Sequence, residues 1–208
     1  MQTSSRKERN MARIQRPISK INATRDEETF VKDSESVLHQ NGIYLLVGEI
    51  SNESVKGVVS WILAANIEKS HESLKLIIHS DGGDLTSAFA IVDTMRGSKI
   101  PIHTLGLGCV ASSGLIIFMT GAKGHRVLTP NTQILSHQYS WGNFGKDHEL
   151  VSITKEYSLM NERMISHYKR CTGLKEDKIK KVLLPPSDVW LSAEEALELG
   201  ICDEIKLK

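Results

Sequence analysis

From residue 43 onward the apolar positions alternate between short dense runs and stripes at helical spacing. Residues 43–47 (IYLLV) form a run rich in β-formers, closed by Gly48, which predicts a buried strand. Residues 55–69 carry apolar side chains at helical intervals. Residues 74–78 (LKLII) predict a second strand, ending in His79-Ser80-Asp81-Gly82-Gly83. Residues 85–96 predict a helix with Ala88, Ile91, Val92 and Met95 along one side. A third strand at 102–108 runs through Cys109-Val110-Ala111-Ser112-Ser113-Gly114 into an apolar helix at 115–120. Strands apolar on both faces, joined by helices, imply parallel pairing with right-handed crossovers. Two short strands are expected at 127–128 and 133–135, around the turn Thr129-Pro130-Asn131. A long polar helix at 147–171 ends at Thr172-Gly173. The capping box from Ser192 to Glu195 opens a last helix that stops at Gly200, and residues 201–207 close the chain as a strand. The fold class is therefore α/β with a mostly parallel sheet.

Residues 1–38 are polar and of mixed charge, without sustained periodicity. They read as an arm, either a disordered tail or a segment with a short helix near 27–38 that contacts a partner. The domain organisation expected is thus an arm at 1–38 and one compact domain at 39–208.

Composition narrows the function classes. Lys+Arg total 26 against Asp+Glu 25, so no field of one sign points to nucleic acid or to an anionic membrane. No apolar stretch is long enough to span a bilayer, and the basic N-terminus lacks the apolar core of a secretory signal. Cys109, Cys171 and Cys202 form no C-x-x-C pair and read as buried reduced thiols. The expected home is the cytoplasm.

Four features could carry chemistry. Ser112 stands where an apolar strand turns into an apolar helix, between Gly108 and Gly114. A hydroxyl there projects from a sharp turn, beside backbone N–H groups able to stabilise an oxyanion. Taken alone, such a serine is usually an N-cap. Gly82-Gly83 ends the preceding strand, and in a parallel sheet the strand C-termini share one edge where ligands bind. His137 follows the strand at 133–135, and imidazole is the usual base for a serine hydroxyl. Asp188, in Pro185-Pro186-Ser187-Asp188, could hold the histidine tautomer, although alone it reads as a turn aspartate.

Together these residues lie in a pattern that resembles the Clp protease proteolytic subunit. The pattern comprises Ser80-x-Gly82-Gly83, Asp93-Thr94-Met95, Gly108-x-x-Ala-Ser-x-Gly114, Gly121-Ala122-Lys123-Gly124-x-Arg126, Pro130-Asn131 and His137-Gln138. It closes with Leu191-Ser192-Ala193-Glu194-Glu195-Ala196 and Gly200-x-x-Asp203, and runs in order from about Ile43 to Ile205. The resemblance implies a ClpP/crotonase-like spiral of β-β-α units with a protruding long helix. It implies a serine endopeptidase acting on unfolded proteins, with Ser112 as nucleophile, His137 as base and Asp188 as the orienting acid. Gly83 and Ser113 would supply the oxyanion-hole N–H groups, with substrate contacts at Gly82, Asp84, Leu85 and Ser140. No metal or organic cofactor is implied. The partners implied are further copies of the chain, in a heptameric ring that stacks into a tetradecamer, and a AAA+ unfoldase of the ClpX or ClpA kind.

The chain departs from the family at several positions. Asp81 stands in place of a proline, Ser113 in place of the methionine after the nucleophile, and Tyr139 in place of a proline. Residues 180–187 lack the charged run that many members use between rings. The chain is therefore expected to be a divergent member. Two other readings share the architecture: a non-catalytic subunit of a mixed ring, and a crotonase-like acyl-CoA enzyme. The first is opposed by the presence of all three triad residues, the second by the absence of any signal for a CoA nucleotide pocket.

Overall fold

The computed structural model describes residues 27–69, 71–140, 142 and 146–207, so most of the expected arm lies outside the described residues. By contacts the chain divides into residues 1–36 and residues 37–208. Helix α1 (Glu27–Gln40) crosses this boundary.

The second unit holds the elements that periodicity predicts through residue 172, adds a helix at 176–182 and a strand at 189–191 that it does not, and confines the closing strand expected at 201–207 to residues 204–205. In chain order they are β1 (Ile43–Ile50), α2 (Asn52–Glu68), β2 (Leu74–Gly83), α3 (Leu85–Gly97), β3 (Ile102–Ala111) and α4 (Ser113–Phe118). Then follow β4 (Arg126–Leu128), β5 (Gln133–Ser136), α5 (Asp147–Thr172), α6 (Glu176–Val182), β6 (Val189–Leu191), α7 (Ala193–Glu198) and β7 (Glu204–Ile205). Among the described residues seven strands form one sheet in the order β1-β2-β3-β4-β7, with β5 beside β3 and β6 beside β5. All pairs are parallel except β5–β6. The mostly parallel α/β fold expected from the sequence is present.

The long strand β3 gives the sheet its shape. Its first half pairs with β4 (Thr104↔Arg126) and its second half with β5 (Cys109↔Gln133). Between these halves Gly108 has φ +61°, and the β2–β3 register slips between Ile78 and Ser80. A matching slip between Val47 and Glu49 in β1 is tied down by the Ser80 hydroxyl, which donates to the Gly48 carbonyl at 2.6 Å. The strands thus bend together, and their C-terminal ends extend to Gly83 and Ala111.

Two expectations are corrected. The strands bury one face rather than two. In β2, Leu74, Leu76 and Ile78 are buried while Lys75 and His79 are exposed, and in β1 Leu45 and Val47 are 45% and 57% exposed. The core lies on the other face, where Ile62, Ile91, Val92, Leu115 and Ile117 pack under α2, α3 and α4. Cys109 is only partly buried, unlike Cys171 and Cys202. Burial, with Asp81 beside it, still pushes the Cys109 thiol up to about 11.

Helix α5 is polar along its first half and buried along its second, where Met160, Met164, Ile165, His167 and Tyr168 are covered. His167 of α5 joins α3 to α4. Arg96 Nη2 donates to its Nδ1 at 2.9 Å, and its Nε2 then donates to the Ile116 carbonyl of α4 at 2.9 Å. Burial, with Arg96 adjacent, holds this imidazole neutral by lowering it to about 3. Among the described residues no helix is long and apolar enough to cross a membrane.

Beside α5, Arg126 of β4 is 1% exposed and bonded in bidentate fashion to Asp203, Nη2 to Oδ1 at 2.6 Å and Nε to Oδ2 at 2.8 Å. Its Nη1 donates to the Cys171 carbonyl. Burial pushes the Asp203 carboxyl up, but hydrogen bonds from Arg126 and Gly124 outweigh this and bring it down to about 2. Removing one partner of such a pair strands the other charge. Asp203→Asn is expected to cost about 3–5 kcal/mol in urea unfolding near neutral pH. The folded carboxyl is depressed, so its contribution is whole above the ordinary value of 3.8 and is lost as pH falls through about 2. The stability curves of wild type and variant should therefore converge across that window.

Candidate active site

The site forms where β2, β3 and β5 end along one edge of the sheet. Ala111 of β3 pairs with Leu135 of β5, and the Ser112 N–H continues the ladder by donating to the Leu135 carbonyl at 2.9 Å. Held there, the chain must reverse at once to begin α4. Ser112 does so with φ +52° and ψ −124°, outside the regions open to most L-residues. Its carbonyl accepts from Leu115 and Ile116 N–H, so the first turn of α4 locks the strained residue in place.

Glycine makes the crowding possible. A Cβ on Gly82, whose φ is +105°, would stand 2.6 Å from Ser112 Cβ and 3.1 Å from Ser112 Oγ. Gly83 has φ +146°, and a Cβ there would strike the Ile50 carbonyl oxygen. The Gly82 N–H donates to Ser80 Oγ at 3.1 Å, fixing the end of β2 beside the serine. The first N–H groups of a helix have no intrahelical acceptor, which leaves the Ser113 N–H at the start of α4 without a partner inside the helix.

His137 is the first residue after β5. Its Nε2 lies 2.7 Å from Ser112 Oγ, within the range for proton transfer from hydroxyl to imidazole. The residues flanking it are tied down. Ser136 Oγ donates to the Leu183 carbonyl at 2.6 Å, and hence accepts the Tyr168 hydroxyl proton at 2.8 Å. Gln138 Nε2 donates to the Leu184 carbonyl at 2.9 Å. The segment after α6 therefore grips both sides of His137.

Asp188 is placed near this grip but not in it. It is exposed, and no hydrogen bond joins it to His137 among the described residues. The β5–β6 ladder pairs Ile134↔Leu191, Leu135↔Trp190 and Ser136↔Val189. Carried one step further, this antiparallel register sets Asp188 opposite His137. Directly opposed side chains share a face of the ladder with Cβ atoms about 4.5–5.5 Å apart.

A cavity of about 100 Å³ adjoins Ser112 and His137. Gly83, Leu85, Ser113 and Ser140 line it, as do Ile116, Met164 and Tyr168. Gly82 and Asp84 do not line it. Gly82 packs against the serine instead. The Asp84 carboxylate caps α3, accepting from Ser87 N–H at 2.6 Å. Of the other histidines, His167 is spent on α4, and the side chain of His148 lies outside the described residues.

Sequence reasoning missed the contributions of α5 and of Ser136. Met160, Met164 and Tyr168 recur at a four-residue spacing, which marks a buried stripe within a helix of low mean hydropathy. That stripe is the signal that could have shown Met164 and Tyr168 to be walls of the cavity. Nothing local marks Ser136.

The chain is similar to known proteins. Residues 24–208 match the sequence profile of the Clp protease family. The ATP-dependent Clp protease proteolytic subunit 3 of Rhizobium meliloti (strain 1021) is 33% identical over 174 residues, covering 84% of this chain and 88% of the relative. The ATP-dependent Clp protease proteolytic subunit of Deinococcus radiodurans is 28% identical over 173 residues, covering 83% of this chain and 84% of the relative. The chain belongs to the Clp protease family.

The packing at Gly82 leads to a direct test. Gly82→Ala should slow fluorophosphonate labelling of Ser112 more than about tenfold, because a Cβ there displaces the serine and strains the turn. Circular dichroism should remain that of the wild type. Labelling at the wild-type rate would show that the edge yields without moving the hydroxyl.

Proposed function

We propose that this chain is the proteolytic subunit of a Clp-type protease, a serine endopeptidase that hydrolyses peptide bonds of unfolded proteins through an acyl-enzyme. The observation that carries the reading is the 2.7 Å contact between His137 Nε2 and Ser112 Oγ, on a strained turn at the start of a helix.

Ser112 Oγ attacks the scissile carbonyl while His137 Nε2 takes its proton. The carbonyl oxygen becomes an oxyanion beside the N–H groups of Gly83 and Ser113, and losing one such donor typically costs about 10²–10³ in turnover. His137 then protonates the leaving amine, and water attacks the acyl-serine by the same route in reverse. Asp188 acts as the orienting acid. From its position opposite His137 its carboxylate can turn inward to accept a hydrogen bond from Nδ1–H, staying ionised and fixing the tautomer that leaves Nε2 free to act as base. The chemistry needs no metal or organic cofactor.

The relatives are named as subunits of ATP-dependent proteases. The sequence of this chain carries no P-loop, so ATP would be used by a partner. We infer that the chain works within a ring of its own copies, fed by a AAA+ unfoldase. Exposed apolar side chains support an assembled state: Leu45 and Val47 on the open sheet face, Leu63 and Ile67 on α2, and Val151 and Leu159 on α5.

The non-catalytic reading is favoured by one observation, the absence of a bond between Asp188 and His137. Two variants decide between the readings. Ser112→Ala should abolish cleavage of a small fluorogenic peptide without changing the assembled mass, and undiminished turnover would remove Ser112 from the mechanism. Asp188→Asn should lower kcat by at least about a hundredfold. A fall under tenfold would mean that another group orients His137, with Asp177 at the start of α6 the next candidate. A wild-type chain that neither cleaves peptide nor reacts with a fluorophosphonate would be the non-catalytic subunit.

A further inference from the structure

Ser113 is 2% exposed, and its Oγ is buried with no hydrogen-bond partner among the described residues. Buried hydroxyls are nearly always paired, and one left unpaired weakens the fold with nothing in return from packing. Its surroundings suggest what it serves. Ser113 lines the cavity beside Ser112, together with Leu85, Ile116 and Met164 and the polar residues Gln138, Tyr139, Ser140 and Tyr168. Leu85, Ile116 and Met164 are apolar. The Tyr168 hydroxyl is spent on Ser136, and the Gln138 amide N–H on the Leu184 carbonyl. No Asp, Glu, Lys or Arg lines this space.

We propose that the Ser113 hydroxyl determines specificity, selecting a carboxamide side chain (Asn or Gln) on the residue whose carbonyl Ser112 attacks. The proposal rests on the peptidase reading of Ser112 and His137. In that reading the attacked carbonyl sits between Gly83 and Ser113, so the side chain on the same residue enters the adjoining cavity. A serine hydroxyl can donate and accept, and so can a carboxamide, so either end of the amide can meet it. An apolar side chain fills the same space but leaves the hydroxyl unpaired. A charged one is buried with no opposite charge to meet it. Met164, which also lines the cavity, is unbranched and adaptable, so it can repack around the incoming group.

The test compares two fluorogenic peptides that differ only at this residue, Gln in one and Met, of nearly the same shape, in the other. With the wild-type chain, kcat/KM is expected to favour Gln by about fivefold or more, the worth of one hydrogen bond with no orphan left behind. Ser113→Ala keeps the backbone N–H and should bring the ratio to one or below. Ser113→Thr keeps the hydroxyl and should retain the preference. The Tm of Ser113→Ala should match or exceed that of the wild type, since an unpaired polar atom is removed. A wild-type ratio at or below one, a ratio unchanged in Ser113→Ala, or a clear fall in its Tm overturns the assignment and leaves the peptidase reading intact. Failure of the wild type to cleave either peptide, with no acylation of Ser112, overturns both.

Discussion

The hydrogen bond from Ser112 N–H to the Leu135 carbonyl is the constraint on which the site depends. It prolongs the β3–β5 ladder by one residue, past the point where the chain would relax into a loop. That single bond does two things. It forces Ser112 into a positive-φ conformation, so that its hydroxyl projects from the sheet edge. It also fixes the spacing between two strand ends, so that the residue after β5 arrives beside the hydroxyl. The separation of 25 residues between Ser112 and His137 is the chain length needed to leave β3, pass through α4 and β4, and return along β5.

The neighbouring parts exist to tolerate or support this arrangement. Gly82 and Gly83 have no side chains because the serine and the β1 backbone occupy that space. Ser80 holds the end of β2 through the slipped register. The neutral His167, fixed by Arg96, supports α4 from below. Ser136 and Gln138 anchor the histidine from either side. Each is a local sacrifice of ordinary secondary structure or of apolar packing, and together they hold one residue in a conformation it would not adopt alone.

Much of this was legible in the sequence. The order of strands and helices through β5 followed from periodicity, because those segments are long and their apolar stripes are strong. Ser112 and His137 were legible as candidates because they end predicted strands, and they became specific only through the family pattern. The rest depended on tertiary context. β6 is three residues after a Pro-Pro turn and becomes a strand only by pairing with β5. α6 buries a single apolar residue, Ile179, too few for a periodic signal. The exposed face of the sheet was missed because Leu45 and Val47 are as apolar as their buried neighbours. The orphan hydroxyl of Ser113 is invisible in sequence, since only the arrangement of its neighbours shows that nothing reaches it.

The clamp at Asp203 has a consequence for β7. That strand contributes only two ladder pairs, too few to hold it by backbone bonding alone. The segment is retained by the carboxylate, which takes four N–H groups, from Gly124, the Arg126 backbone and the Arg126 guanidinium. Asp203 thus acts as a counter-ion for an interior cation. Losing that carboxylate would unseat the guanidinium and loosen β4 with it, whereas changes at the exposed Lys206 and Leu207 would leave the clamp closed.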